Sequence, residues 1–297
     1  MPRKPRIHVP GGFYHVILRG NGRQAIFFDS SDRQTWEDLL QASLHRYEHR
    51  LHAYCWMTNH IHMAVQAGTE PLARFMSHLA SRYARYLNRK LRRPGHLFER
   101  RYRAILVQAD SYLQELVRYI HLNPVRARMV DDLADYVWSS HHAYLGKTCP
   151  SWLTRDYLWQ QFGSNEQQAR TRYREFLNQL PSGATLAALR QGTATDDRLI
   201  GDDAWTQNVL NQALAAQATQ PAPTLDELII EVCQRHQVSE AMLASRCRSR
   251  KHATIRAEIA LQATEQNIAT LSEIARRFGR AHSGLSRTLN RLRDQSR

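Results

Sequence analysis

Two histidines separated by one residue stand in the segment 53–65, at His60 and His62. In an extended strand alternate side chains share a face, so these two point together while Ile61 enters the opposite layer. Two imidazoles on one face can hold a divalent cation, but two ligands do not complete a site. Structural histidines on a half-buried strand have the same spacing. A second cluster lies in the segment 112–124. Tyr112, Glu115, Tyr119 and Asn123 fall on one helical stripe, which thus carries two phenols, a carboxylate and an amide oxygen. The opposite stripe, Leu113, Leu116, Val117 and Ile120, is apolar and is expected to pack on a sheet. A helix that turned Tyr119 and Asn123 toward the histidine pair would supply a nucleophile and a third metal ligand. A half-core Tyr119 and an Asn123 that closes the helix before Pro124 fit the same pattern, and spacing alone does not choose between them.

The elements that must position these groups follow from pattern and punctuation. Residues 14–19 read as a strand broken by Gly20-Asn21-Gly22. Asp29 to Asp32 offer N-cap chemistry for a helix through His49. Leu51–Met57 and His60–Val65 read as strands joined by Thr58-Asn59. A second helix spans Leu72 to about Arg92 and stops before Pro94-Gly95. Phe98–Val107 reads as a fourth strand, and Ser111 as the cap of a third helix reaching Asn123-Pro124. The order β-α-β-β-α-β-α predicts an α+β, ferredoxin-like palm, an antiparallel sheet with helices on one face.

The totals set the partner class. The 297 residues carry 41 Lys+Arg against 27 Asp+Glu, a formal +14. Such an excess favours a polyanion, because each cation that meets a phosphate releases a condensed counterion. The charge is uneven: 22 basic and 12 acidic side chains in 1–150, 6 and 7 in 151–222, 13 and 8 in 223–297. We therefore expect a catalytic domain (1–150), a helical extension and linker (151–222, with 219–223 as the linker) and a second basic domain (223–297). The four cysteines form no C-x-x-C pair, which argues against a disulfide framework or a Cys-rich zinc site. No apolar run is long enough for a bilayer, and no secretory leader is legible, so the expected setting is cytoplasmic with no membrane partner.

The residues 14–21 (YHVILRGN), the His-hydrophobic-His core of 54–65 and the run 118–127 (RYIHLNPVRA) together resemble the REP-associated tyrosine transposases of the HUH single-tyrosine superfamily. The resemblance covers about residues 7–146. It implies a ferredoxin-like palm and Mg²⁺- or Mn²⁺-dependent cleavage and rejoining of single-stranded DNA at or near hairpin-forming repeats. It implies His60 and His62 as metal ligands and Tyr119 as the nucleophile. Asn123 takes the place of the polar third ligand, where some relatives carry Gln. Tyr112 is a rival nucleophile on the same stripe, and Glu115 is a candidate for orienting a ligand or an arginine.

Basic and aromatic side chains interleave along the second helix (Arg82, Tyr83, Arg85, Tyr86, Arg89, Lys90) and the fourth strand (Arg100, Arg101, Tyr102, Arg103). That mixture suits single strands, whose bases stack while their phosphates meet cations. A solvated basic face is the plain alternative. Arg19 and Asn21 join the expected DNA-facing rim by the same resemblance.

The C-terminal body reads as all-helical, with a basic insert at 246–252 that includes Arg248, Arg250 and Lys251. Residues 270–280 read as a helix and a Gly turn, followed by a second helix from about Ala281, with Ser272 and its neighbours as cap. His282, Ser283, Ser286 and Arg287 are expected to face outward on that last helix. This helix-turn-helix outline resembles the duplex-binding domain of the bacterial chromosomal replication initiator. The alternative function is a DNA-binding regulator that descends from a transposase and no longer cuts.

Overall fold

The computed structural model describes residues 6–295 apart from 180, 194, 220–223, 246–248 and 267. Residues 220–223 of the expected linker, and Arg248 of the basic insert, therefore lie outside the described residues. The chain forms two compact units, Met1–Ala213 and Leu214–Arg297.

In the first unit, five strands among the described residues form one sheet: β1 (Phe13–Arg19), β2 (Arg50–Met57), β3 (His60–Gln66), β4 (Arg103–Val107) and β5 (Leu199–Ile200). Their order is β2-β3-β1-β4-β5. The first four pair antiparallel, and β5 adds a short parallel edge to β4. Helices α1 (Ser30–Tyr47) and α2 (Leu72–Lys90) connect β1 to β2 and β3 to β4, which is the ferredoxin-like order expected from the sequence.

Residue parity divides the sheet. Tyr14, Val16, Leu18, Trp56, Ile61 and Met63 belong to one core, with Trp36 and Leu40 of α1 and Phe75, Leu79 and Tyr83 of α2. Phe13, Ala53, Cys55, Met57, Ala64, Ile105 and Val107 belong to the other, packed with Leu113, Leu116, Val117 and Ile120 of α3 (Ala109–His121). The apolar stripe of α3 thus packs on the sheet as expected, but on the face opposite α1 and α2. A sheet covered on both faces has strands that read as near-continuous apolar runs, as β2 does.

Several boundaries differ from the expectation. Gln108, not Ser111, holds the N-cap position of α3, which starts at Ala109. β4 begins at Arg103, so Arg100 and Arg101 precede the strand. The α1 start is as read: Asp29 and Asp32 form a reciprocal capping box. Asp32 is fully buried and takes Lys90 Nζ at 2.6 Å and the Tyr86 hydroxyl at 3.0 Å. Lys90 also reaches Asp29 at 2.7 Å, so this lysine ties the end of α2 to the start of α1.

After α3 comes a single turn, α4 (Asn123–Arg126), then α5 (His141–Tyr144), α6 (Asp156–Phe162), α7 (Glu166–Asn178), α8 (Gly183–Gln191) and α9 (Asp203–Thr219). The segment read as an extension is divided between the two units, its part up to Ala213 lying in the first. Leu158, Phe162, Tyr173 and Leu189 from it are buried in the α3 core. Its polar anchor is the Tyr173 hydroxyl, 2.7 Å from both His121 Nδ1 and His141 Nδ1. His121 Nε2 meets Ser140 Oγ at 2.6 Å.

The second unit contains α10 (Leu225–His236), α11 (Glu240–Ala244), α12 (Arg250–Glu265), α13 (Leu271–Arg277) and α14 (His282–Gln295). Their core gathers Leu228, Val232, Leu243, Ile259, Phe278 and Leu285. The cap of α13 is Thr270 in a capping box with Glu273, two residues before Ser272. Gly279, at φ +58°, makes the turn into α14 with a backbone that favours glycine.

Candidate active site

The histidine pair sits on β3 with the parity that faces α3, and the neighbouring strand adds a third imidazole. In the β1–β3 register Ile17 lies opposite His62 and Arg19 opposite His60. His15 shares that face, and its Nε2 lies 2.9 Å from His62 Nδ1. Its own Nδ1 is 2.9 Å from the main-chain oxygen of Leu189 in α8. The His60 and His62 rings have centroids 5.0 Å apart and nearly perpendicular planes.

Each imidazole is held from behind. His60 Nδ1 is 2.6 Å from Asn59 Oδ1, and Asn59 Nδ2 donates to Arg23 O at 3.0 Å. The tight Thr58-Asn59 connection thus does more than reverse the chain. Burial first, then the Arg19 cation, brings the His60 imidazole down to about 4. Burial also keeps His62 well below its ordinary 6.5, with His15, His60, Arg19 and Arg126 adding repulsion. Both rings are therefore neutral near pH 7, the form that binds a cation.

α3 brings Tyr119 to this cluster. Its ring lies edge-on to His15 at 5.4 Å and to His62 at 5.6 Å between centroids. Tyr119 is 5 % exposed, and its hydroxyl makes no hydrogen bond to the described residues. The Arg126 guanidinium of α4 lies over the Tyr119 ring, 5.1 Å from its centroid. One turn on, Asn123 donates from Nδ2 to Tyr119 O at 2.8 Å, which leaves its Oδ1 available as an acceptor or ligand. The rival Tyr112 instead packs half-buried against the α3 core. Glu115 pairs with Arg118, whose guanidinium also donates to Phe176 O at 3.0 Å and Gln179 O at 2.8 Å. Glu115 therefore orients an arginine that clamps α7, not a metal ligand.

The donor set fits a divalent cation on its chemistry. Among the described residues no three His, Cys, Asp or Glu gather around one point. A third protein donor beside two histidines would have to come from another residue type, such as an amide oxygen. Two neutral imidazoles and an amide oxygen suit Mg²⁺ or Mn²⁺ and leave coordination positions for phosphate oxygens.

The expected DNA-facing residues divide. Asn21, Arg82, Arg89 and Arg101 are exposed, as is Arg85, and Arg19 is half-buried beside His60. Arg103 is different: its guanidinium donates to the carbonyls of Arg190 (2.9 Å), Gln191 and Asp197 (3.2 Å). Those bonds tie Arg103 to the end of α8 and to the loop before β5. The aromatics of the basic mixture also turn inward. The Tyr83 hydroxyl donates to Ile26 O at 2.6 Å, and Tyr102 is buried with Arg6 stacked on its ring at 4.1 Å. In the second unit Arg250, Lys251, His282, Ser283 and Arg287 are exposed and Ser286 is half-buried.

Sequence spacing did not single out His15, Asn59 or Arg126. His15 had a readable signal, since it lies in a strand-like run that could pair beside the His60–His62 strand. Asn59 and Arg126 had none beyond adjacency to a chosen residue.

Residues 9–123 match the family described as Transposase IS200 like. Among solved structures, a REP-associated tyrosine transposase bound to a REP hairpin is similar at 15% identity, over 52% of this chain and 98% of that one, with a TM-score of 0.44. A crystal structure of a Deinococcus radiodurans R1 protein assigned as a transposase is similar at 20% identity, over 38% and 92%, with a TM-score of 0.30. No curated protein matches the chain.

Proposed function

We propose, from the match of residues 9–123 to the IS200-like transposase family, that the chain cleaves and rejoins single-stranded DNA at or near hairpin-forming repeats. Tyr119 is the nucleophile, and His60, His62 and Asn123 hold Mg²⁺ or Mn²⁺. The observation that carries this reading is the Tyr119 ring standing edge-on to His62, whose own ring lies 5.0 Å from that of His60.

When bound, the divalent ion would polarise and orient the scissile phosphate. The Tyr119 phenolic oxygen attacks phosphorus and loses its proton, an O–P bond forms, and the bond from phosphorus to the 3′ oxygen breaks. The departing 3′ oxygen gains a proton, so the products are a 5′-phosphotyrosine and a free 3′-OH. Because the new ester keeps the energy of the old one, a second strand's 3′-OH can reverse the step without a nucleotide cofactor. Arg126, over the Tyr119 ring, is placed to meet the phosphate charge.

The second unit supplies duplex affinity, with His282, Ser283, Ser286 and Arg287 on α14 facing the major groove and Arg250 and Lys251 meeting backbone phosphates. Arg248 of the same basic insert belongs to this reading by its sequence position. The deciding experiment is incubation of the full chain with a labelled hairpin oligonucleotide and Mn²⁺, followed by a denaturing gel. A covalent protein–DNA band is expected, and a clean absence of adduct with bound DNA favours the non-cleaving regulator.

A further inference from the structure

An imidazole offers a lone pair to a cation from only one nitrogen, the one without the proton, so a histidine ligand must be held in one tautomer. For His60 that choice is made by an amide. Asn59 Nδ2 donates to Arg23 O, which turns Oδ1 toward the ring. Oδ1 can only accept, so the His60 proton sits on Nδ1 and the lone pair on Nε2.

For His62 the partner is another imidazole, and an imidazole nitrogen can donate or accept. One more contact removes the ambiguity. The Leu189 carbonyl, 2.9 Å from His15 Nδ1, can only accept. His15 is fully buried, and its Nδ1 contact to a neutral carbonyl supplies no countercharge for a doubly protonated ring. Its single proton therefore lies on Nδ1, and its Nε2 is an acceptor. His62 Nδ1, 2.9 Å away, must then donate.

We propose that His15 is a positioning residue for His62: anchored by the Leu189 carbonyl, it holds His62 in the Nδ1-protonated tautomer and leaves Nε2 as the donor to a divalent cation. The inference rests on the assignment of His62 as a metal ligand made above. A core-filling role alone does not account for the arrangement, because Leu would fill the same space without the cost of burying two polar nitrogens. The relay also reaches α8, so a carbonyl 174 residues from His15 in sequence takes part in preparing the site.

Partners of this kind behind a metal-bound histidine are worth about 10–100-fold in metal affinity. The test uses the full chain without DNA. Mn²⁺ binding is followed by the spin-resonance signal of the free ion, and the His62 tautomer by long-range proton–nitrogen correlation on histidine-labelled protein, assigned with His62→Gln. In the wild type the His62 proton is expected on Nδ1, with scalar coupling across the bond to His15 Nε2. His15→Leu should weaken Mn²⁺ by about 10–100-fold. His15→Gln, whose carboxamide oxygen can accept from His62 Nδ1, should restore most of the affinity.

A wild-type His62 protonated on Nε2 overturns the proposal, and this measurement does not depend on any variant folding. A folded His15→Leu variant with wild-type Mn²⁺ affinity and an unchanged tautomer overturns it too. If His62→Gln leaves Mn²⁺ affinity intact, His62 is not a ligand and the site assignment fails. The tautomer measurement then still reports separately whether His15 orients that ring.

Discussion

The ring of Tyr119 stands edge-on to His62, with centroids 5.6 Å apart and planes at 82°, although the two residues come from different elements on one face of the sheet. This relationship joins the two halves of the proposed chemistry. Tyr119→Phe keeps the ring and its packing and removes only the attacking oxygen. Covalent adducts with a hairpin oligonucleotide should vanish while DNA affinity stays within a few-fold of wild type. Wild-type adduct yield on a denaturing gel would remove Tyr119 from its role.

Asn123 is held by its own Nδ2, which donates to Tyr119 O at 2.8 Å and leaves its Oδ1 as an acceptor. Asn123→Gln retains an amide oxygen and should retain cleavage. Asn123→Leu should lower Mn²⁺-dependent cleavage by at least about 10-fold, the scale seen when a metal site loses a supporting group. Added chelator should abolish cleavage in every variant. Equal rates for the Leu and Gln variants would exclude the amide as a ligand.

The Tyr173 hydroxyl serves two buried imidazoles at once, 2.7 Å from each. Tyr173→Phe orphans both ring nitrogens, and each buried unsatisfied group costs roughly 1–3 kcal/mol, so a loss of about 2–4 kcal/mol is expected. Tryptophan fluorescence isolates this effect, since Trp36, Trp56, Trp138, Trp152, Trp159 and Trp205 all lie in the first unit. Urea unfolding with an unchanged midpoint would show that the network is not structural.

The same network predicts acid sensitivity. Burial brings His141 down to about 4 and keeps His121 well below 6.5. The unfolded chain takes up these protons near pH 6.5, whereas the folded chain resists until lower pH, so falling pH favours unfolding. Stability from this source is complete above about pH 6.5 and is lost as pH drops toward about 4, at up to about 1.4 kcal/mol per unit for each histidine. Thermal midpoints of the first unit should fall across that window, and His141→Gln should fall less steeply. A parallel slope in the variant would assign the acid loss to other groups.

The second unit can be tested by truncation. A chain ending at Pro223 should keep metal-dependent cleavage of single strands and lose most duplex affinity. In the full chain, Arg287→Ala should weaken duplex binding, and if its contact is to a phosphate the salt slope should fall by about one. Full duplex affinity in the truncated chain would move that function into the first unit.

What the amino-acid order settled by itself was local and periodic. A repeat of two put His60 and His62 on one face, a spacing of four put Tyr119 and Asn123 on one stripe, and Asp29 with Asp32 marked a helix start. These follow from strand and helix geometry, which any short stretch carries within itself. Tertiary packing decided the rest. It chose the sheet face that α3 covers, gave Arg103 and Lys90 partners within the chain, and brought the Leu189 carbonyl to His15. Arg101 and Arg103 stand two apart in sequence with the same chemistry, yet among the described residues it is Arg103 of the two that donates to main-chain carbonyls. No spacing rule separates such residues, because what divides them is which distant backbone comes to lie beside each, and that depends on burying apolar surface far along the chain.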